Sequence, residues 1–443
     1  MDFTPTGTRI DYLKEVCMKV LVKIFKGLIT VILVLLLLIA ALDAAWVFEP
    51  QVKASKKISD IGDYGKAGYE VEIPEGVSIV ALGEATHGNA EFQELKLSVF
   101  KHLVDTTDVR SFALEADFGE GIIINEYVHG TGNIKDAKEA VKELSFNIYQ
   151  TKQMTDLIQW MHDYNQSAGE ADKLSFYGFD MQNPDIDAGV IAEFCDKSGI
   201  VPKSGSTALL KEFAEEKAQI SDDRKAAFYE DIAGIKESLA GNDPKTHCIE
   251  IACDCILKAK ELGELDENDY LEYNNVRDKA MAGVVSKILS LEKELGHDMI
   301  YITGHNGHVS THRLNYKTMG ENIREDFGNK YFIIGTDYYK TTCNIAGEDG
   351  RGNYSFCSAD PLAYQAKYFD GMYCIRFRDV IDKSTGETYE TLRKVINTGS
   401  LGESYLPLMH FLPTSHRVKM EVLKGYNAMI YVYEATPIEV LPR

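Results

Sequence analysis

The sequence predicts an α/β fold: a mainly parallel sheet flanked by helices, with a large helical insertion and an N-terminal transmembrane helix. Three observations lead there. Short apolar runs alternate with helical patterns from residue 77 onward, the signature of strands covered by helices on both faces. Between Pro184 and Gly296 the alternation stops, and only charged, Ala- and Leu-rich helical pattern remains. Gly27–Leu42 carries no charge and contains the run Val34-Leu35-Leu36-Leu37-Leu38-Ile39.

That N-terminal run comes first. Allowing Asp43, it extends to Phe48, near the ~20 residues that span a bilayer. Lys14, Lys19, Lys23 and Lys26 precede it, and Trp46 stands where an interfacial aromatic belongs. A cleaved signal peptide is the rival, but its charged front is normally much shorter, and Leu42-Asp43-Ala44 is a poor cleavage site. Residues 1–48 are therefore expected to form a cytoplasmic tail and anchor, with 27–48 in the membrane. The lysine bias places the rest outside the cytoplasm, although Lys53, Lys56 and Lys57 count against it. Residues 49–76, polar and Lys-rich at first, are expected to be a linker or stalk, and 77–443 the α/β domain.

Within that domain Val77–Leu82 is predicted as a strand. Glu91–Val104 follows as a helix, with Phe92, Leu95, Val99, Phe100 and Leu103 at 3–4 spacing. Strands are expected again at Arg110–Leu114 and Leu174–Phe179, with helices between. The helical insertion covers about 184–297. Asp298–Thr303, Tyr331–Gly335, Met372–Phe377 and Ala428–Val432 resume the strands.

Composition narrows the function. The chain has 443 residues and a formal charge of −21, which argues against a nucleic-acid partner, since that needs basic surface. Of eight cysteines, seven lie beyond the anchor in no scaffold-like pattern, so at most a few disulfides are expected. Cys253-x-Cys255 is one residue short of a zinc or redox spacing, and buried thiols are expected there.

In open α/β sheets, ligands bind beyond the carboxyl ends of the strands. Strand one ends in Gly83-Glu84-Ala85-Thr86-His87-Gly88. Strand two runs into Glu115 and Asp117, and strand three into Asp180. Strand four ends in Gly304-His305-Asn306-Gly307-His308. Successive strands thus deliver acids and imidazoles to one edge. A neutral imidazole takes a proton from water near pH 7, and a carboxylate fixes its tautomer. Two glutamates held close should not both ionise freely, so one is expected to keep its proton. Nucleophile-elbow, P-loop and His-Glu-x-x-His signatures are all missing. A metal held by His305, His308 and His312 is the competing chemistry.

In order along the chain, these segments resemble the erythromycin esterase family. The matching motifs are Gly83–Gly88, Glu91-Phe92, Ala113-Leu114-Glu115, Arg277-Asp278-Lys279-Ala280-Met281-Ala282 and His305–His308. Lys317–Gly335 and Tyr426–Pro437 also look like family segments. The resemblance implies an α/β fold with inserted helices and hydrolysis of a cyclic ester with no cofactor and no required metal. It makes His87 the general base and Glu84 its orienting partner. Glu115 and His305 complete the catalytic set, and Lys96, His308, Asp180 and Arg277 are expected to face substrate. Lys96 stands where the family carries an arginine, which offers a planar fork in place of a point charge. The expected partner is a small-molecule ester or lactone, met outside the cytoplasm. The alternative is a non-catalytic or metal-binding accessory protein of the cell surface with the same pocket. The hydrolase alone requires Glu84, His87, Glu115 and His305 to converge in one sealed cluster.

Overall fold

The protein is described by a computed structural model covering residues 7–442 except 217, 240, 242, 267, 313 and 314. Its strands are β1 (Lys66–Ala67), β2 (Ile79–Glu84), β3 (Ser111–Asp117), β4 (Ser175–Asp180), β5 (Ile300–His305), β6 (Tyr331–Gly347), β7 (Gly350–Cys357), β8 (Met372–Arg376), β9 (Ile396–Gly399), β10 (Arg417–Met420) and β11 (Ala428–Ala435). One nine-stranded sheet runs in the order β1-β8-β11-β6-β2-β5-β3-β4, with β7 folded back on β6. From β11 to β4 all pairings are parallel. β1, β8 and β7 pair antiparallel, so the sheet is mixed, although largely parallel.

Strand alternation sorts side chains between two layers. Ile79 and Ala81 of β2 join the core beneath the helical insertion, whereas Val80 and Leu82 join the core on the opposite face. That second layer holds the helix Ala90–Thr106, whose Phe92, Leu95, Val99, Phe100 and Leu103 are all buried. The insertion supplies the other layer through five helices, Pro184–Ser198, Ala208–Glu215, Asp222–Ser238, Pro244–Gly263 and Tyr270–Glu294. Cys195, Cys253 and Cys255 are buried there, and all eight cysteines are free. No disulfide is formed.

The strands differ from expectation mainly at their ends. Glu84, Asp117, Asp180 and His305 are the last residues of their strands, and hydrogen bonds to neighbours hold the three carboxylates there. β6 does not stop at Gly335. A Cβ there would lie 2.4 Å from the Met429 sulfur, so this glycine permits close packing of β11 and does not mark a turn. The β9–β10 ribbon was not expected from the sequence, which lacks an apolar run at either strand.

The helix Gly7–Asp43 continues through a π turn, Ala44–Phe48, into Glu49–Ala54. It is long and apolar enough to cross a membrane, and its most apolar window is unburied. Residues 54–67, expected as part of a linker, lie on the domain. Ala54, Ile58 and Ile61 are buried, Ile58 N–H donates to Gln365, and Lys66 and Ala67 pair with β8.

Candidate active site

Parallel pairing aligns the carboxyl ends of β2 and β5 residue for residue, so Glu84 lies beside His305. β3 adds Glu115 on the far side of β5. The turn after β2 then rises into the helix at Ala90. Neither Gly83 nor Gly88, which flank this turn, has a positive φ. Their lack of a side chain serves close approach instead. A Cβ on Gly83 would meet Asn306 Oδ1 at 2.2 Å, and one on Gly88 would meet the Asn344 carbonyl oxygen at 2.6 Å.

Within the turn, His87 Nδ1 lies 2.7 Å from Glu84 Oε1. The other oxygen of Glu84 accepts from Lys96 Nζ at 2.5 Å and from Gln93 Nε2 at 3.3 Å. Burial opposes ionisation of Glu84, but Lys96 and His87 outweigh it and hold the pKa down at about 2. His87 shows the converse. Burial disfavours its imidazolium, yet Glu84 and Glu115 raise its pKa above the ordinary value. Lys96 is 1% exposed and its ammonium is occupied by Glu84 and Gln93. It therefore faces inward and holds Glu84, unlike the substrate contact expected of it.

Glu115 anchors the second half. It accepts from the His305 backbone N–H at 2.7 Å and from Arg277 Nη2 at 3.3 Å. Its carboxyl is buried, but His308, His87 and Arg277 keep its pKa well below the usual range. Both glutamates are thus ionised, contrary to the expectation that one would stay protonated, because each has its own cations. Raised carboxyls lie behind the site instead: burial, then Asp180, pushes Asp117 up to about 7, and burial, then Asp117, pushes Glu120 up to about 8. Asp180 holds Arg277 Nε and Nη2 through both oxygens, at 3.1 and 2.5 Å. This pair positions Glu115, and neither Asp180 nor Arg277 presents an idle group.

The two remaining histidines differ. His308 places Nδ1 2.9 Å from Asp278 Oδ1 and Nε2 3.4 Å from Glu115 Oε1. Burial is overcome by these carboxylates, and its pKa is raised. His305 is half-buried beside the other imidazoles, and burial, then His87, lowers its pKa to about 4. Its Nδ1 accepts from Gly307 N–H at 3.1 Å. The proton must then sit on Nε2, a buried atom with no partner. The His305 and His87 rings stand 5.0 Å apart. His305 is therefore a neutral donor beside the His87–Glu84 pair.

The structure brings Glu84, His87, Lys96, Glu115, Asp180, Arg277, His305 and His308 into one cluster. His312 is not part of it; its backbone N–H donates to Ser310 Oγ and its side chain lies by Gly425. Among the described residues no grouping of His, Cys, Asp and Glu is arranged to hold a metal ion. Sequence reasoning missed three contributors. Asp278 sat inside the Arg277–Ala282 motif, and Gln93 lies one residue beyond Glu91-Phe92. Tyr149 had no signal, because it arrives on the short turn Asn147–Tyr149 and not at a strand end. Its ring is 6.2 Å from His87 and 5.4 Å from Lys96 Nζ. Its buried hydroxyl has no partner.

The chain resembles known proteins in sequence and in fold. The chain is 23% identical over 301 residues to an Escherichia coli erythromycin esterase type II, covering 59% of this chain and 69% of that protein. With an Escherichia coli erythromycin esterase type I it shares 25% identity over 134 residues, 30% of this chain and 31% of that one. A Bacillus cereus protein of solved structure superposes with a TM-score of 0.71 at 20% identity, over 88% of this chain and 99% of that one. A succinoglycan biosynthesis protein gives 0.69 at 18% identity, over 88% and 99%. An erythromycin esterase mutant in its open conformation gives 0.51 at 16%, over 83% and 93%. These structural likenesses concern the fold. The erythromycin esterase family pattern matches residues 104–435, three-quarters of the sequence, and the chain belongs to that family.

Proposed function

We propose that this chain is a membrane-anchored hydrolase that uses His87 to activate water against an ester or lactone carbonyl. The observation that carries the reading is the His87 Nδ1–Glu84 contact at 2.7 Å, beside the His305 ring, whose Nε2 is unpartnered. With Nδ1–H given to the Glu84 carboxylate, His87 Nε2 is the nitrogen left to take a proton from water. The water oxygen bonds to the carbonyl carbon, and negative charge moves to the carbonyl oxygen. His305 Nε2–H and the Tyr149 hydroxyl are the donors available to it, in a buried site where such donors act strongly. As the carbon–oxygen ester bond breaks, the imidazolium of His87 returns its proton to the leaving alkoxide. Glu84 stabilises that imidazolium throughout. Lys96, Arg277, Asp180 and Asp278 position the carboxylates and His308.

The test is a hydrolysis screen of the purified full chain against esters and lactones, with and without chelator. Turnover of at least one class, undiminished by chelator, is expected. A stoichiometric metal lost together with activity would replace the His87 mechanism with a metal-centred one. Absence of turnover across the panel would favour a binding role.

A further inference from the structure

The segment Tyr405–Leu412 is two-sided. Tyr405 stacks on Tyr354 of β7 at 3.5 Å, His410 stacks on Phe356 at 5.1 Å, and Met409 is buried. Leu406, Leu408, Phe411 and Leu412 point the other way and are 40–60% exposed. Val201, Leu295 and Ile381 also expose large apolar side chains, but each stands singly in the sequence. Single ones need no explanation, whereas a contiguous cluster usually marks an interaction surface.

What covers the cluster follows from its neighbours. Arg417, shortly after it, donates through Nη1 to the Trp46 and Val47 carbonyls at 3.3 and 3.5 Å, and through Nε to Cys357 O. Val47 and Gln51 of the N-terminal helix share a cleft of about 330 Å³ with Phe356, His410, His416 and Arg417. The helix is unbroken to Ala54, which is already buried in the domain. From Phe48 to Ala54 is only about 9 Å of helix at ~1.5 Å per residue. With no free stalk, the face of the domain beside Trp46 must lie close to any bilayer the helix crosses.

We propose that Leu406, Leu408, Phe411 and Leu412 are a second membrane contact, inserted into the bilayer interface beside Trp46. This rests on the anchor reading of residues 27–48. Amphipathic surfaces of this kind bury their apolar side at the headgroup–acyl boundary. The contact also bears on the candidate site. Leu401 N–H, at the start of this stretch, donates to the Ala85 carbonyl at 2.9 Å, and the Glu403 carboxylate acts on His87. Docking the segment holds the rim of the His87 turn near lipid, where amphiphilic esters partition.

The experiment uses full chains with one tryptophan each, reconstituted in phosphatidylcholine vesicles whose acyl chains are brominated near the headgroup. Trp160→Phe leaves Trp46, which reports on the helix. In a Trp46→Phe, Trp160→Phe background, Phe411→Trp and, separately, Leu408→Trp report on the segment. Bromolipid should at least halve emission from Trp46 and from both introduced tryptophans. Quenching of Trp46 with neither position 408 nor 411 quenched would overturn the proposal and keep the anchor. Quenching at 408 and 411 without Trp46 would support the contact and reject the anchor. No quenching anywhere would reject both.

Discussion

At the scale of single residues, the proposed chemistry depends on one imidazole and the groups that set its proton affinity. Losing a positioned general base typically costs ~10²–10⁴-fold in rate, so His87→Ala should lower kcat by that order. Glu84→Gln should lose nearly as much, and the double variant little more, since base and orienting group act as a unit. Steady-state kinetics on the four chains checks this; fully multiplicative losses would separate their roles. The pH profile gives an independent readout. His87 is active as a base only when deprotonated, and Glu84 and Glu115, against burial, raise its pKa above 6.5. Activity should therefore fall, as pH drops, with a midpoint above that of an ordinary imidazole. Glu84→Gln removes the largest attraction on that proton and should move the midpoint down. A midpoint unmoved by Glu84→Gln would assign the acidic limb to another group. Tyr149→Phe keeps the ring against His87 and removes only the hydroxyl. If that hydroxyl serves the oxyanion, kcat should fall towards the ~10²-fold expected of a lost donor, with KM little changed.

At the scale of elements, the helix Tyr270–Glu294 has an outsized part. It belongs to the insertion, yet Arg277 and Asp278 reach across to Glu115, Asp180 and His308. Removing one partner of a buried ion pair costs about 3–5 kcal/mol, because the other charge is left uncompensated. Arg277→Ala leaves Asp180 and Glu115 in that state, so its denaturant midpoint should fall accordingly. A shift within the noise of surface substitutions would mean water replaces the guanidinium. This element also shows what was legible in the sequence. The edge of acids and imidazoles could be read because strand ends carry positional meaning in parallel sheets, and Glu84, Glu115, Asp180 and His305 all obey it. Beyond the Glu84–His87 pair that the resemblance implied, which of them would pair could not be read. Lys96 looked like a substrate contact, and two glutamates looked destined to share a proton, because the balancing cations come from other elements. Tyr149 and the β9–β10 ribbon were hidden for a related reason. Their places depend on packing against distant segments, and neither hydrophobic period nor turn chemistry records that.

At the scale of the whole molecule, the anchor proposed for residues 27–48 sets which side of a membrane the cluster would face. The helical stretch Tyr12–Ala54 is 43 residues long, about 65 Å at ~1.5 Å per residue. A hydrocarbon core of ~30 Å uses less than half of it. With residues 27–48 in the membrane, most of the surplus, residues 12–26, falls on the lysine-bearing N-terminal side, where Cys17 is the one exposed cysteine. The other cysteines are buried or half-buried, which makes Cys17 a usable topology marker. If residues 27–48 span the membrane with the lysines on the cytoplasmic side, a membrane-impermeant maleimide should leave Cys17 unmodified in intact cells. It should label Cys17 in inverted vesicles, and Cys17→Ser should abolish that signal. N-terminal sequencing of the same sample adds the second half of the test, because a cleaved signal would begin the mature chain near Ala45 and remove Cys17 altogether. Labelling in intact cells would reverse the orientation and put the His87 cluster in the cytoplasm. The segment at Leu406–Leu412 would then meet the inner leaflet, and the substrate would have to be an intracellular ester or lactone.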